Sequence, residues 1–232
     1  SADGFHHVHL RVADRDAAMA WYVENFGGEP AKVGDLDAVK FDEVYVLFLP
    51  GGDDTPPNQG STLDHLCFSF EDLEAKIAEF RDAGVKVVQD VKNIGPIKYA
   101  FVEDPWGTRI EVMQDPTLYG FHHIHLHTTS PQVMLRWFAD NFGGEPTRYF
   151  GLIPAVRYGK TWFLAQAVDL RKAPTKGRSV DHIGWQTDDL DATIAEFASR
   201  GIEMDTQPER FSGGRYCFLT GPDGLRFVLV EL

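Results

Sequence analysis

The chain repeats itself, and this repeat limits the possible folds more than any other feature of the sequence. Positions 121–126 read FHHIHL and copy FHHVHL at 5–10 with one change, and NFGGEP at 25–30 returns unchanged at 141–146. Both copies stand at one constant spacing along the chain. The sequence therefore predicts two homologous halves.

Each half is predicted to contain the same order of elements twice. Alternating β-forming residues at 5–12 predict a strand, and the apolar residues Met19, Tyr22 and Phe26 predict a helix that stops at Gly27. Further short strands complete each unit. We therefore predict an α+β protein of four βαβββ modules, with one domain at 1–116 and a second domain at 117–232.

Composition narrows the classes of partner. A net charge of −13 makes nucleic acid or an anionic membrane surface an unsuitable partner, because binding to phosphates needs a basic surface. No apolar run approaches the roughly 20 residues that span a bilayer. Cys67 and Cys217 offer no disulfide framework. We expect a small-molecule ligand, a monomer or homodimer, and a cytoplasmic location, or an exported one if a removed leader preceded Ser1.

Three residues suggest a metal site. His7 opens the first module, His65 opens the second, and Glu111 interrupts the apolar last strand of the second. A carboxylate inside an apolar strand is costly unless it is paired or bound to a cation. Two imidazoles and one carboxylate form the facial triad that holds Fe(II), and they also suit Mn, Zn or Ni. The sequence predicts one divalent metal per chain, with positions left open for substrate.

The same segments resemble those of the vicinal oxygen chelate superfamily, which includes glyoxalase, bleomycin-resistance protein and extradiol dioxygenase. The likeness rests on HVHLRVAD at 7–14, on Asp64-His65, and on the turn DPWG at 104–107 before Glu111. It implies two glyoxalase-like domains whose curved mixed sheets surround a metal cavity. It also implies a metal-dependent enzyme whose substrate chelates the metal through adjacent oxygens.

Departures from the superfamily's patterns bear on the reaction. Glyoxalase I-like members carry a fourth metal ligand, a Glu, where this chain has Leu47. Extradiol dioxygenases carry a Tyr where this chain has Phe101. We therefore favour a lyase or isomerase, with an Fe(II) ring-cleaving dioxygenase and a non-catalytic binding or resistance protein as alternatives.

The second half differs at the predicted site. His123 and His182 match His7 and His65, but Val228 replaces Glu111. We therefore predict a degenerate site in this half. Modules can pair as neighbours, the first with the second, or crosswise, the second with the third. Crosswise pairing would bring His123 rather than His7 to His65. We favour pairing between neighbours.

Two further residues are predicted to act in catalysis. His9 shares a strand face with His7, and an imidazole titrates near neutral pH, so we expect it to be a general base or a partner that orients a metal ligand. Tyr45 shares a face with Leu47, so we expect it to donate to a developing oxyanion.

Overall fold

The computed structural model describes residues 2–232, with side chains from Gly4 onward. It contains the predicted α+β order of one strand, one helix and three strands, four times over. In the first half the elements are β1 (Ala2–Val12), α1 (Arg15–Phe26), β2 (Glu29–Val33), β3 (Leu36–Phe41), β4 (Val44–Pro50), β5 (Leu63–Ser69), α2 (Leu73–Asp82), β6 (Lys86–Ile94), β7 (Ile97–Glu103) and β8 (Arg109–Gln114).

The second half repeats this order and adds a short 3₁₀ turn at Pro222–Gly224. Its elements are β9 (Gly120–Thr128), α3 (Pro131–Phe142), β10 (Thr147–Tyr149), β11 (Ile153–Tyr158), β12 (Thr161–Ala167), β13 (Val180–Thr187), α4 (Leu190–Ser199), β14 (Glu209–Phe211), β15 (Gly214–Thr220) and β16 (Arg226–Glu231). No helix among the residues from 2 to 232 is long and apolar enough to cross a bilayer.

All four helices begin at a side-chain cap. Asp14, Asp72, Ser130 and Asp189 each accept a hydrogen bond from the backbone N–H three residues further on. Such caps each stabilise a helix by about 1 kcal/mol. The first helix ends as its sequence predicts, at Gly27 with φ of 75°.

The strands form two eight-stranded sheets, and each sheet takes strands from both halves. The first sheet has the order β14-β15-β16-β13-β1-β4-β3-β2, and the second β10-β11-β12-β9-β5-β8-β7-β6. The central pairs are antiparallel, with Val8 opposite Ile183 in the first sheet and Leu66 opposite Ile124 in the second. The prediction that neighbouring modules pair is therefore wrong: the first module joins the fourth, and the second joins the third. The domain boundary at 116/117 stays a prediction.

Linker lengths explain the crosswise pairing. The short linker 115–119 keeps β8 and β9 in one sheet, separated by β5 alone. The longer linkers 51–62 and 168–179 carry the chain from one sheet to the other. These linkers lie side by side, because Ser179 N donates to Pro56 O at 2.8 Å and Thr62 N donates to Ala173 O at 3.0 Å.

The main core joins the two sheets through aromatic side chains. Phe26 of α1 lies on Phe68 of β5, with ring centroids 4.7 Å apart, and Phe142 of α3 stacks on Trp185 of β13 at 4.1 Å. In each pair the helix comes directly after a strand of one sheet in the chain, and its aromatic ring packs against a strand of the other sheet. Such aromatic pairs add about 1 kcal/mol beyond the burial of their area. The core therefore fixes the position of each sheet relative to the other.

Candidate metal centre

Three potential metal ligands converge on adjacent strands of the second sheet. His65 lies on β5, Glu111 on β8 and His123 on β9. Glu111 Oε2 lies 2.9 Å from His65 Nε2 and 3.0 Å from His123 Nε2. His125 lies beside them, and with it they form a group whose ligand atoms all lie within 4.8 Å of one another. We call these four residues the Glu111 cluster.

Hydrogen bonds fix the tautomer of His65. Its Nδ1 lies 2.7 Å from Asp64 Oδ2, and a carboxylate oxygen accepts, so Nδ1 carries the proton. In the neutral imidazole Nε2 is then an acceptor, and it faces the Glu111 carboxylate. Burial lowers the pKa of His65, but the hydrogen bonds to Asp64 and Glu111 outweigh burial and raise it. In the absence of a cation, a second proton on His65 therefore satisfies this contact.

A chain of buried hydrogen bonds fixes His123 in the same way. His122 Nε2 donates to Asp115 Oδ2 at 2.9 Å, and Tyr149 OH donates to the same oxygen at 2.6 Å. Burial lowers the pKa of His122, which is therefore neutral, so its Nδ1 is an acceptor. His123 Nδ1, 2.8 Å away, must then donate to it. The remaining nitrogen, His123 Nε2, therefore presents a lone pair to Glu111.

The environment of His123 Nε2 is unusual for a buried nitrogen. It lies 3.0 Å from Glu111 Oε2 but makes no aligned hydrogen bond. Burial lowers the pKa of His123 to about 4 despite the nearby carboxylate. Burial raises the pKa of Glu111, but its contacts with His123 and His65 hold that pKa well below the usual range. Two imidazole nitrogens therefore converge on one ionised carboxylate, and one of them, His123 Nε2, has no proton to donate, so this arrangement suits a bound cation.

His125 is held by a different partner. Its Nε2 donates to Gln166 Oε1 at 3.0 Å, which leaves Nδ1 as the acceptor. Its ring lies 4.5 Å from that of His65, between centroids. His125 can therefore act as a fourth ligand or as a base beside the other three residues.

The first sheet contains a second, smaller group, His7, His9 and His182, which we call the His9 cluster. His9 Nδ1 lies 3.0 Å from His182 Nε2. Asp181 holds the other nitrogen of His182 at 2.6 Å, so His9 donates and the contact between the imidazoles is satisfied. Val228 stands next to Gly184 just as Glu111 stands next to Cys67, so this cluster lacks a carboxylate of its own. The degenerate site predicted for the second half stays a prediction, because the structure divides its two histidines: His123 joins the Glu111 cluster and His182 the His9 cluster.

Crosswise pairing separates the residues that the sequence grouped together. The structure brings together His65 and Glu111 as predicted, but His7 lies in the other sheet and His123 takes its place. His9 and Tyr45, predicted to be catalytic, also lie in the first sheet. There Tyr45 stacks on His6, with ring centroids 4.9 Å apart. The structure therefore does not bring either predicted catalytic residue to the Glu111 cluster.

The sequence analysis missed several residues of the site. Gln166, Asp115 and Tyr149 orient the histidines, yet Gln166 and Tyr149 lie on other strands and Asp115 lies in the linker before β9. His125 is the copy of His9, so the sequence does contain a signal for it. The repeated His-x-His pattern places a histidine two residues after His7 and again two residues after His123.

The Glu111 cluster forms one wall of a cavity of about 430 Å³. Strands of the second and third modules and the turns at the ends of β6 and β10 surround it. Its other walls are mostly aromatic and aliphatic, and they include Phe101, Met113 and Leu164. The arrangement is that of a ligand pocket, apolar with a few converging polar groups.

The fold and the site define a class: paired βαβββ modules with a His and Glu cluster in the cavity of a shared sheet. The model of the glyoxalase/bleomycin resistance protein/dioxygenase superfamily matches residues 4–112 and again residues 120–229. The chain therefore belongs to this superfamily, and both halves are members of it.

Curated relatives include enzymes of two kinds. Lactoylglutathione lyase GLX1 of Arabidopsis thaliana is 23% identical over 261 residues, which covers 98% of this chain and 91% of that protein. 4-Hydroxyphenylpyruvate dioxygenase of Caenorhabditis elegans is 29% identical over 116 residues, or 41% of this chain. This match covers 30% of the dioxygenase, so less than a third of that relative is represented here.

Solved structures share the fold at low sequence identity. Glyoxalase I from Zea mays has a TM-score of 0.76 at 18% identity, covering 100% of this chain and 92% of that one. A putative dioxygenase from Bacillus subtilis has a TM-score of 0.72 at 14% identity, covering 100% and 86%. These likenesses show that the whole chain has the two-domain glyoxalase-like fold.

Proposed function

We propose that the chain is a divalent-metal-dependent enzyme and that its metal ligands are His65, Glu111 and His123. The observation that carries this proposal is the convergence of two imidazole nitrogens on one carboxylate oxygen at 2.9 and 3.0 Å, with no aligned hydrogen bond at His123 Nε2. The lone pair of His123 Nε2 and the carboxylate repel each other, and a divalent cation would remove this repulsion and take the place of the second proton on His65. The metal is Fe, Mn, Zn or Ni, because all four accept imidazole and carboxylate ligands.

The surroundings of the cluster support this donor set. Burial, followed by the charge of Glu111, raises the pKa of the Cys67 thiol well above its usual range, so Cys67 stays protonated and is a poor ligand. Three protein ligands leave open positions, which is the arrangement of a catalytic rather than a structural metal. The bound metal would polarise a substrate that chelates it through adjacent oxygens.

We assign the proton-transfer role to His125 rather than to the predicted His9. Gln166 accepts the Nε2 proton of His125 and so leaves its Nδ1 ready to accept one from a substrate. His9 has Leu49 rather than a glutamine at the equivalent strand position, and it hydrogen-bonds to His182 instead. A proton transfer next to a polarised carbonyl is the step of a lyase or isomerase, which is the reaction class that we favour.

A second reaction class has specific support. Two histidines and one carboxylate form the facial triad of Fe(II) oxygenases, and Leu164 stands where a fourth carboxylate ligand would lie. The likeness to 4-hydroxyphenylpyruvate dioxygenase points in the same direction. An Fe(II)-dependent dioxygenase is therefore the alternative. A non-catalytic binding or resistance protein would need no proton acceptor such as His125.

Elemental analysis tests the metal centre directly. Protein purified without added metal is expected to contain one equivalent of metal per chain. Glu111→Gln keeps the volume of the side chain but removes its charge, and it is expected to lose the metal. Glu103→Gln changes a carboxylate that pairs with Lys86 on the surface, so it serves as the control and should keep its metal. Equal metal content in wild type and Glu111→Gln would overturn the assignment.

Oxygen dependence separates the two reaction classes. Turnover of a vicinal-oxygen substrate should continue without oxygen if the enzyme is a lyase or isomerase. His125→Gln should then lower kcat by about 100-fold, which is the usual contribution of a general base. Turnover that consumes one oxygen per substrate would favour the dioxygenase.

A further inference from the structure

We propose that the cavity lined by the Glu111 cluster selects a substrate with an uncharged, apolar body and excludes substrates with carboxylate-bearing tails. This inference rests on the proposed metal centre and names the class of molecule that it serves. The substrate would bind the metal at its oxygen-rich end and place its aromatic or aliphatic remainder against the apolar walls.

The cavity separates its polar and apolar parts. The ionisable and amide side chains at one end are the four residues of the Glu111 cluster and Gln166, and the other polar groups of the lining are the hydroxyls of Tyr99 and Tyr149. The rest of the wall is apolar, as shown by Ile97, Met113 and Ile153. Such a pocket favours the binding of a ligand with one chelating end and one hydrophobic end.

Charge in and around the cavity disfavours an anionic body. Within the described part of the chain, no lysine or arginine lines the cavity. The nearby Arg109 lies over Phe101, 4.0 Å from the ring centroid and 3.9 Å from Asp64, and it is not part of the cavity lining. Asp64 and Asp115 are buried carboxylates behind the histidines. A ligand carboxylate held against the apolar walls, away from the metal, would lose its hydration without gaining a cation.

The mouth of the cavity is also apolar, although it faces solvent. Ile94 is 58% exposed, Phe150 49% and Leu152 69%, and all three line the cavity, Ile94 from the end of β6 and the other two from the turn that follows β10. Large exposed hydrophobic side chains gathered at one opening mark a surface that a ligand covers.

The backbone at Phe150 shows that an aromatic side chain is placed here at a cost. Phe150 has φ of 47°, a left-handed conformation that bulky residues rarely adopt. The equivalent turn in the first half uses Gly34, with φ of 59°, and glycine tolerates this conformation. The second half therefore replaces an unstrained glycine with a strained phenylalanine at the mouth of the cavity that contains Glu111.

Two chelating probes that differ in charge test the inference. Metal-loaded protein is titrated calorimetrically with 4-methylcatechol and with 3,4-dihydroxybenzoate, after its metal content has been measured. We expect wild type to bind 4-methylcatechol at least about tenfold more tightly, because the carboxylate must be desolvated without a partner. Equal binding, or a preference for the acid, would overturn the inference.

A positive charge placed at the mouth should weaken the preference. Leu152→Arg changes an exposed side chain and should reduce the discrimination by about tenfold, through tighter binding of the acid. Leu170→Arg alters another exposed leucine, 77% exposed and outside the cavity lining, and should leave the ratio unchanged. An unchanged ratio in Leu152→Arg contradicts the inference. Protein that takes up stoichiometric metal but binds neither probe overturns the inference alone, whereas protein that takes up no metal overturns the proposed function with it.

Discussion

The histidines of the Glu111 cluster owe their chemistry to the residues behind them. Asp115 and Tyr149 orient His122, and His122 orients His123, so a lone pair rather than an N–H faces Glu111. Partners behind a metal ligand raise its basicity and hold its ring in place. The sequence does not reveal this chain of contacts, because Asp115 lies in a linker and Tyr149 on a three-residue strand.

His122→Phe should therefore weaken metal binding without removing a ligand. The change leaves His123 free to rotate and to exchange its tautomer, and loss of such a partner typically costs 10–100-fold in metal affinity. The measurement is a competition titration of the metal against a chromogenic chelator. His6→Phe is the matched control, because His6 contacts His7 in the other sheet in the same way, at 2.8 Å. Equal affinity in both variants would argue against the orienting role.

The His9 cluster offers the reverse experiment. Val228→Glu places a carboxylate beside His182 and His7, as Glu111 stands beside His65 and His123. We expect the metal content to rise from one to two equivalents per chain. Val228→Gln introduces a side chain of the same shape as glutamate but without the charge, so its metal content should stay at one equivalent per chain. A Val228→Glu protein that folds and still holds one equivalent would show that the His9–His182 hydrogen bond closes this cluster.

At the scale of elements, the sequence predicts the helices and their ends better than it predicts which strands pair. The helices and their caps follow from apolar spacing and from Asp or Ser at the first position. The strand β2 escapes sequence prediction because its residues are mostly exposed and include Pro30. The pairing of β1 and β9 cannot be derived from their own sequences, which are almost identical; linker lengths decide it. The linker lengths can themselves be read from the sequence once the strand boundaries are known.

The turn between β7 and β8 depends on Asp104. Its carboxylate accepts hydrogen bonds from Tyr22 OH at 2.7 Å and from the backbone N–H groups of Trp106 and Thr108. The turn therefore anchors the strand that carries Glu111 to helix α1. Burial raises the pKa of Asp104 from 3.8 to about 6.

This pKa predicts a pH-dependent contribution to stability. Because the folded pKa lies above the unfolded one, the contribution is complete below about pH 4 and is lost as the pH rises through about 6. The stability of wild type relative to Asp104→Asn should fall by about 2 kcal/mol between about pH 4 and pH 7, as measured by urea unfolding. Asp53→Asn, in an exposed loop, should show no such trend. A difference in stability between wild type and Asp104→Asn that does not vary with pH would mean that Asp104 has the same pKa in the folded and unfolded states.

At the scale of the whole molecule, the proposed metal joins two halves of the chain. His65 and Glu111 belong to the first half and His123 to the second, so the ligands tie β5 and β8 to β9. A ligand that binds the folded state stabilises it according to its concentration relative to its Kd.

Removing the metal should therefore lower the melting temperature of the entire protein. At a metal concentration about 1,000 times Kd, binding contributes about 4 kcal/mol to stability. Calorimetry with and without a chelator measures the loss, and both sheets should melt together at the lower temperature. Glu111→Gln should not respond to the chelator. A wild-type transition that the chelator leaves unchanged contradicts a metal shared between the halves.

The crosswise sheets also set an order of assembly during synthesis. The strand β1 is made first, yet its antiparallel partner β13 lies near the other end of the chain, with Ala2 opposite Thr187. The second sheet has its central strands β5, β8 and β9 close together in sequence, so it can close while the chain is still growing. Contacts between distant segments form slowly, and unpaired strand edges invite association with other chains. The first sheet therefore closes last, and until then the edge of β1 is the part of the nascent protein most in need of protection.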